Sequence, residues 1–204
     1  MQQRTILIVG NSFRNLRNYL REHNFDYITL KDAAVAKHPE KHLKRRVLCD
    51  FSTPESVLRT VDTLAKKTKI DGVVCIYEHY ILAAAQIAEH LGLPGMPPDA
   101  AKACTDKYVM RGLFKNAPAK ISPDYAIVTS EADVRRFAEA HDFPIILKPA
   151  NLSKSLLVTK NHRMDELLQN YQRTMQSIDG VYAKYAPGAV PKLLIEEFME
   201  GPVH

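Results

Sequence analysis

Lys148 closes a short apolar run, Phe143-Pro144-Ile145-Ile146-Leu147-Lys148-Pro149, that is bounded by prolines and reads as a buried strand. An ammonium near the interior is costly unless it reaches water at an edge or meets an anion. The polar loop Ala150-Asn151-Leu152-Ser153-Lys154-Ser155 follows at once, and Leu156 to Thr159 reads as a second strand. Strand, lysine, loop, strand is a way to lay a flap over a phosphate chain, with Ser153, Lys154 and Ser155 as donors to phosphate oxygens. Taken alone, the commoner role of such a lysine is an edge residue that stays in water.

Two further stretches bear on that choice. Asp106-Lys107-Tyr108-Val109-Met110-Arg111 reads as a helix with Lys107 and Arg111 one turn apart on the same face. Leu193-Leu194-Ile195-Glu196-Glu197-Phe198-Met199-Glu200-Gly201 reads as a strand with a polar end. A site for ATP needs cations for the phosphates, free backbone groups for the base edge, and carboxylates for magnesium. These stretches offer cations for the first.

In this order and at these separations, the three stretches resemble the nucleotide-binding part of the ATP-grasp superfamily, of the carboxylate–amine/thiol ligase or biotin-carboxylase/carbamoyl-phosphate-synthase-like kind. The stretch from Asp71 to Gly95, ending Leu91-Gly92-Leu93-Pro94-Gly95, resembles the close of the domain that precedes ATP-grasp. The resemblance implies a Rossmann-like pre-ATP-grasp domain over 1–97 and an incomplete ATP-grasp domain over 98–204. It assigns Lys107 and Lys148 to the ATP phosphates, with Ser153 and Ser155 on the loop, and Glu196 to the exocyclic amine of adenine. The backbone carbonyl of Glu197 and amide of Met199 would read the base edge, with Ile195 and Phe198 walling the base. His204 would sit against the ribose, where many members instead carry a glutamate at the position of Val203. Glu78, just past the end of a predicted strand, would face a small carboxylate substrate; its bland alternative is a helix-start carboxylate that suits the dipole. The implied reaction is ATP-dependent ligation: a carboxylate becomes an acyl phosphate, which an amine or other nucleophile attacks. The implied cofactors are ATP and Mg2+, with the metal ligands expected beyond His204. Two departures stand beside this. The loop after Lys148 has no glycine, although backbone amides must approach phosphate closely. The chain also stops in the middle of the implied fold, so the 204 residues read as part of a longer protein and are expected to be inactive alone. A non-catalytic nucleotide-binding or interaction module is the rival reading.

The elements that must position these residues follow from periodicity. Thr5-Ile6-Leu7-Ile8-Val9 is a continuous apolar strand of the kind buried on both faces of a parallel sheet. A helix over Phe13–His23 and strands over Phe25–Leu30 and Arg46–Cys49 continue a doubly wound α/β sheet. Thr53-Pro54-Glu55 starts a helix, with Thr53 as N-cap and proline at the first helical position. Gly72-Val73-Val74-Cys75-Ile76 is the next strand. The following helix, from about Ile81, ends at Gly92. A short helix is expected over Ala100–Cys104, and a strand over Asp124–Val128. Ser130-Glu131-Ala132-Asp133 fits a capping box. A last helix is expected over Met164–Gln176, irregular chain over Tyr182–Pro191, and a final strand over Lys192–Phe198. Read as a lone strand, that one presents an unpaired edge, so a disordered end or a homodimer is expected.

Composition narrows the field further. Hydrophobic content of 46% and charged content of 25% are ordinary for a globular chain. No apolar run is long enough to span a bilayer, which leaves a cytoplasmic protein with no membrane partner as the expectation. Net charge is +5, with basic residues crowded between Lys37 and Arg46. That run lacks aromatic interleaving, so nucleic acid is not expected as a partner. Cys49, Cys75 and Cys104 show neither a disulfide framework nor a zinc knuckle and read as buried thiols. After Gly10 no glycine occurs until Gly72, which disfavours a dinucleotide-dependent oxidoreductase.

Overall fold

The computed structural model describes residues 3–36, 45–119, 121–186 and 189–201. Most of the basic run, together with Val203 and His204, lies outside the described residues. The chain folds as two compact units, Met1–Lys102 and Ala103–His204.

The first unit is a parallel sheet. Its elements are β1 (Arg4–Val9), α1 (Arg14–Glu22), β2 (Phe25–Asp32), β3 (Arg46–Cys49), α2 (Pro54–Ala65), β4 (Gly72–Cys75), a single 3-10 turn at Glu78–Tyr80, and α3 (Ile81–His90). The strands run β3-β2-β1-β4, all parallel. Strand alternation splits the apolar run of β1: Leu7 and Val9 pack with Ile28, Leu30, Val61 and Ile87, while Ile8 packs with Leu20 and Tyr27 on the other face. Thr53 caps α2 as expected, its side chain accepting from the Ser56 amide at 3.2 Å. Gly10 turns the chain off β1 at φ +84°, and a Cβ there would lie 2.2 Å from the Tyr80 ring. Both facts require glycine at the point where the strand order reverses.

The link is α4 (Pro98–Thr105), within which the division between the units falls. The second unit holds α5 (Lys107–Lys115), β5 (Tyr125–Val128), α6 (Glu131–Glu139), β6 (Ile145–Pro149), β7 (Thr159–Asn161), α7 (Met164–Tyr185) and β8 (Leu193–Glu197). Its sheet is antiparallel in the order β5-β8-β6-β7. One face packs on α6 and α7 through Val134, Phe137, Leu147, Leu167, Ile178 and Ile195. The capping box of α6 is present: the Ser130 hydroxyl accepts from the Asp133 amide, and the Asp133 carboxylate accepts from the Ser130 amide.

Four expectations are corrected. β8 is not an edge strand: it pairs with β5 on one side and β6 on the other, so the unpaired-edge argument for a disordered end or a homodimer falls away. Leu156–Val158 is not strand: Leu156 and Leu157 form a turn and fold under against the core, with the Leu157 backbone at φ 56°, and the strand begins only at Thr159. α7 runs on to Tyr185, because Leu167, Tyr171, Thr174, Ile178 and Tyr182 make one buried stripe that continues past Gln176. Of the cysteines, Cys49 is buried and Cys75 partly so, and burial pushes both thiols up; Cys104 is exposed. No helix among the described residues is long and apolar enough to cross a membrane.

Candidate functional site

Alternation along β8 puts Ile195 into the core and Glu196 on the opposite face of the sheet. Ile195 is therefore removed from the set of residues that could wall a pocket beside Glu196. In the β6–β8 ladder Ile146 lies opposite Glu196 and Lys148 opposite Leu194. Lys148 and Glu196 are thus diagonal neighbours on one face, within reach of long side chains. The Lys148 ammonium is hydrogen-bonded to Glu196 Oε1.

A second cation reaches the same carboxylate. Asp106 is the N-cap of α5, its carboxylate accepting from the amides of Tyr108 at 2.9 Å and Val109 at 3.4 Å. From that start the helix places Lys107 and Arg111 one turn apart. Arg111 donates to Glu196 through Nε at 3.1 Å and through Nη2 at 3.4 Å, a two-pronged contact. The three side chains are only 19% (Arg111), 13% (Lys148) and 6% (Glu196) exposed. Two cations around one carboxylate leave this group with an excess positive charge in a partly desolvated place, which suits an anion and not a divalent metal. Tyr125 lies opposite Glu196 in the β5–β8 ladder, its ring edge-on to Tyr108 at 5.6 Å. Burial, and then Tyr108, push the Tyr125 hydroxyl up, against the opposing pull of Arg111.

The loop after β6 is stitched to the same helix. The Lys107 ammonium donates to the Leu152 carbonyl at 2.7 Å, and the Lys107 amide to the Ala150 carbonyl at 2.8 Å. The Ala150 amide donates to the Lys192 carbonyl at 2.9 Å, and the Lys192 ammonium pairs with the buried Asp106 carboxylate at 2.9 Å. Tyr182 on α7 donates its hydroxyl to Asn151. Within the loop Lys154, Ser155 and Leu157 all sit at positive φ, 61°, 54° and 56°. The backbone thus holds left-handed turns of the kind glycine favours without having a glycine there.

Lys107, Lys148, Ser153, Ser155 and Glu196 therefore fall on β6, β8, α5 and the loop that α5 holds. Glu197 ends β8, its carboxylate accepting from the Asp124 amide at 2.8 Å. Phe198 is half-buried, with the Lys160 ammonium 3.5 Å from its ring centroid, and Met199 is 54% exposed. Glu78 belongs to the first unit, exposed at the start of the 3-10 turn just past β4. His204 lies outside the described residues. The sequence reading did not include Arg111, Asp106 or Lys192 in the site. Arg111 was findable from its one-turn spacing to Lys107. Lys192 and Asp106 are separated by most of the second unit and had no local signal.

Comparison with known proteins fits this architecture. Residues 27–95 match the family described as the ATP-grasp N-terminal domain. Alanine–anticapsin ligase of Bacillus subtilis is 28% identical over 153 residues, which cover 74% of this chain and 32% of that protein. The L-amino acid ligase structure from Bacillus licheniformis superposes with a TM-score of 0.74 at 18% identity, covering 99% of this chain and 46% of that one. The biotin carboxylase domain dimer of Hydrogenobacter thermophilus 2-oxoglutarate carboxylase, solved with MgADP, ADP and bicarbonate, gives a TM-score of 0.63 at 15% identity, covering 98% and 45%. The fold is that of the N-terminal part of ATP-grasp ligases. The resemblance is to enzymes of that superfamily, and the chain spans about a third of the length of the curated relatives it matches.

Proposed function

We propose that this chain is the nucleotide-binding portion of an ATP-grasp ligase that activates a small carboxylate for attack by an amine or other nucleophile. The observation that carries the reading is the buried Lys148–Glu196–Arg111 group beside the Lys107-held loop. Domain roles follow the same reading, with 1–97 as the pre-ATP-grasp part and 98–204 as the ATP-grasp part. Lys107 and Lys148 neutralise phosphate charge as compact point charges. Ser153 and Ser155 donate to phosphate oxygens from the loop. Arg111 keeps Glu196 in place when Lys148 turns from the carboxylate toward phosphate. Glu196, the backbone of Glu197 and Met199, and the Phe198 ring receive the base. Glu78 and the unit that carries it are assigned to the carboxylate substrate, and His204 to the ribose.

ATP supplies the phosphoryl group that turns a carboxylate into an acyl phosphate, and Mg2+ offsets the charge of that transfer. The cationic group around Glu196 fits the phosphates. It does not fit Mg2+, since its one carboxylate is engaged by Lys148 and Arg111, so no magnesium ligand is assigned within it.

A thermal-shift screen of amino acids and small carboxylates, each with ATP and Mg2+, tests this reading. A shift that needs both nucleotide and one class of carboxylate supports the ligase. A nucleotide shift indifferent to every carboxylate supports the rival, a non-catalytic nucleotide-binding module. The glycine-free loop, which must hold three left-handed residues, is the observation that favours that rival.

A further inference from the structure

One residue past Glu196, the sheet brings together a different set of side chains. Asp124, just before β5, His141, just after α6, and Glu197, at the end of β8, each offer a ligand atom within 4.8 Å of the others. We infer that these three residues form a binding site for a divalent transition-metal ion of the zinc class, separate from any magnesium that accompanies ATP.

The antiparallel pairing of β5 and β8 continues into this end of the sheet. The Glu197 amide donates to the Asp124 carbonyl at 3.0 Å, and the Asp124 amide donates to Glu197 Oε2 at 2.8 Å. The register therefore sets the Asp124 and Glu197 carboxylates at directly opposed positions of the two strands, with His141 within the same 4.8 Å.

His141 is oriented as a ligand. Its Nδ1 lies 2.8 Å from the Phe137 carbonyl oxygen. A carbonyl has no proton to give, so Nδ1 is the donor and the lone pair of the neutral ring is on Nε2. The ring is further held by stacking on Phe137, at 4.0 Å between centroids and 14° between planes. Donation of the second ring nitrogen to a backbone carbonyl is how metal-bound imidazoles are usually fixed. Nε2 stands 3.6 Å from Asp124 Oδ2. That is too long for a hydrogen bond. It is close to the spacing of about 3.4 Å that two ligand atoms take around a tetrahedral ion with bonds of about 2.1 Å.

The place is accessible. Asp124 is 59% exposed and His141 18%. Both line a cavity of about 650 Å³ that also touches Ile121, Ser122 and Phe137. Three protein ligands leave a coordination position for water from that side. An imidazole with two carboxylates selects zinc-class ions; Mg2+ prefers oxygen ligands and keeps its waters. The inference does not depend on the nucleotide reading, because none of its side chains belongs to the cationic group on the other face.

The test uses the metal alone. The metal-stripped chain is titrated with CoCl2, read by visible absorption, and with ZnCl2, read by calorimetry. The expected result is one equivalent bound, with millimolar MgCl2 failing to displace it. Affinity should fall at least about tenfold in both His141→Asn and Asp124→Asn, the lower end of what perturbing a metal's ligand shell costs. Cys104→Ser, which alters an exposed thiol, should bind as the parent does, and circular dichroism confirms that each variant is folded. Absence of binding, or equal affinity in the parent and both variants, would overturn the assignment and leave His141–Asp124 as a structural ion pair.

Discussion

Lys148 shows how a side chain's surroundings decide its role. An edge lysine that reaches water would be a neutral decoration, but this one is mostly covered and answers a carboxylate that is covered still further. Breaking such a pair leaves charge without its partner, though Arg111 still holds Glu196. Lys148→Met should therefore cost about 1–3 kcal/mol of stability, less than the loss of a wholly unsupported buried pair. Chemical denaturation measures it, and an unchanged midpoint would show that Lys148 stays in water. Lys107 has a second anchor, because its ammonium fastens the loop at Leu152. Chemistry-bearing residues are legible where type and local sequence carry the signal, as with Lys107 and Lys148. They were not legible where a partner comes from far along the chain. The Asp106–Lys192 pair and the Asn151–Tyr182 bond exist only because α5, the loop and α7 meet.

At the scale of elements, the caps and the strands are read from sequence because their causes are local. The Ser130–Asp133 box is such a case, and it also titrates. Hydrogen bonds from Ser130, and then from Thr129, hold the Asp133 carboxyl down at about 2. An unfolded aspartate titrates at about 3.9. A carboxyl depressed on folding contributes stability that is complete above the unfolded value and lost as pH falls through the folded one. The contribution of the box should fade between about pH 4 and pH 2, and Asp133→Asn should remove that acid-sensitive part. An acid titration followed by circular dichroism checks it; identical acid profiles would contradict it. The loop after β6 departs from its sequence pattern for the opposite reason. Leu156–Val158 has the composition of a strand, but tertiary packing of Leu156 and Leu157 bends it into turns. Lys154 is exposed and left-handed there, so Lys154→Gly should raise stability by up to about 1 kcal/mol through relief of the Cβ clash. Thermal denaturation reads the gain, and a loss would mean that the backbone does not need glycine-like freedom at 154.

For the whole molecule, the doubly wound first unit and the sheet with Lys148 and Glu196 were both legible, because buried strands announce themselves as apolar runs. The placement of β8 was not. A final strand looks like an edge from sequence, whereas here it slots between β5 and β6 and so becomes the strand on which the candidate site is built. These 204 residues are expected not to turn over ATP, since Glu196, the carboxylate beside the cations assigned to the phosphates, is held by Lys148 and Arg111 and is not open to Mg2+ there. Release of ADP that depends on an added carboxylate, above a Lys148→Ala control, would refute that.

If the cationic face of the second unit holds ATP phosphates, calorimetric titration of ATP into the chain and into Lys107→Ala will separate the two proteins. The parent should bind measurably and the variant should lose about 1–3 kcal/mol, the scale of a charge-assisted contact. Equal affinity in the two proteins, or no binding by a parent shown to be folded, would contradict it.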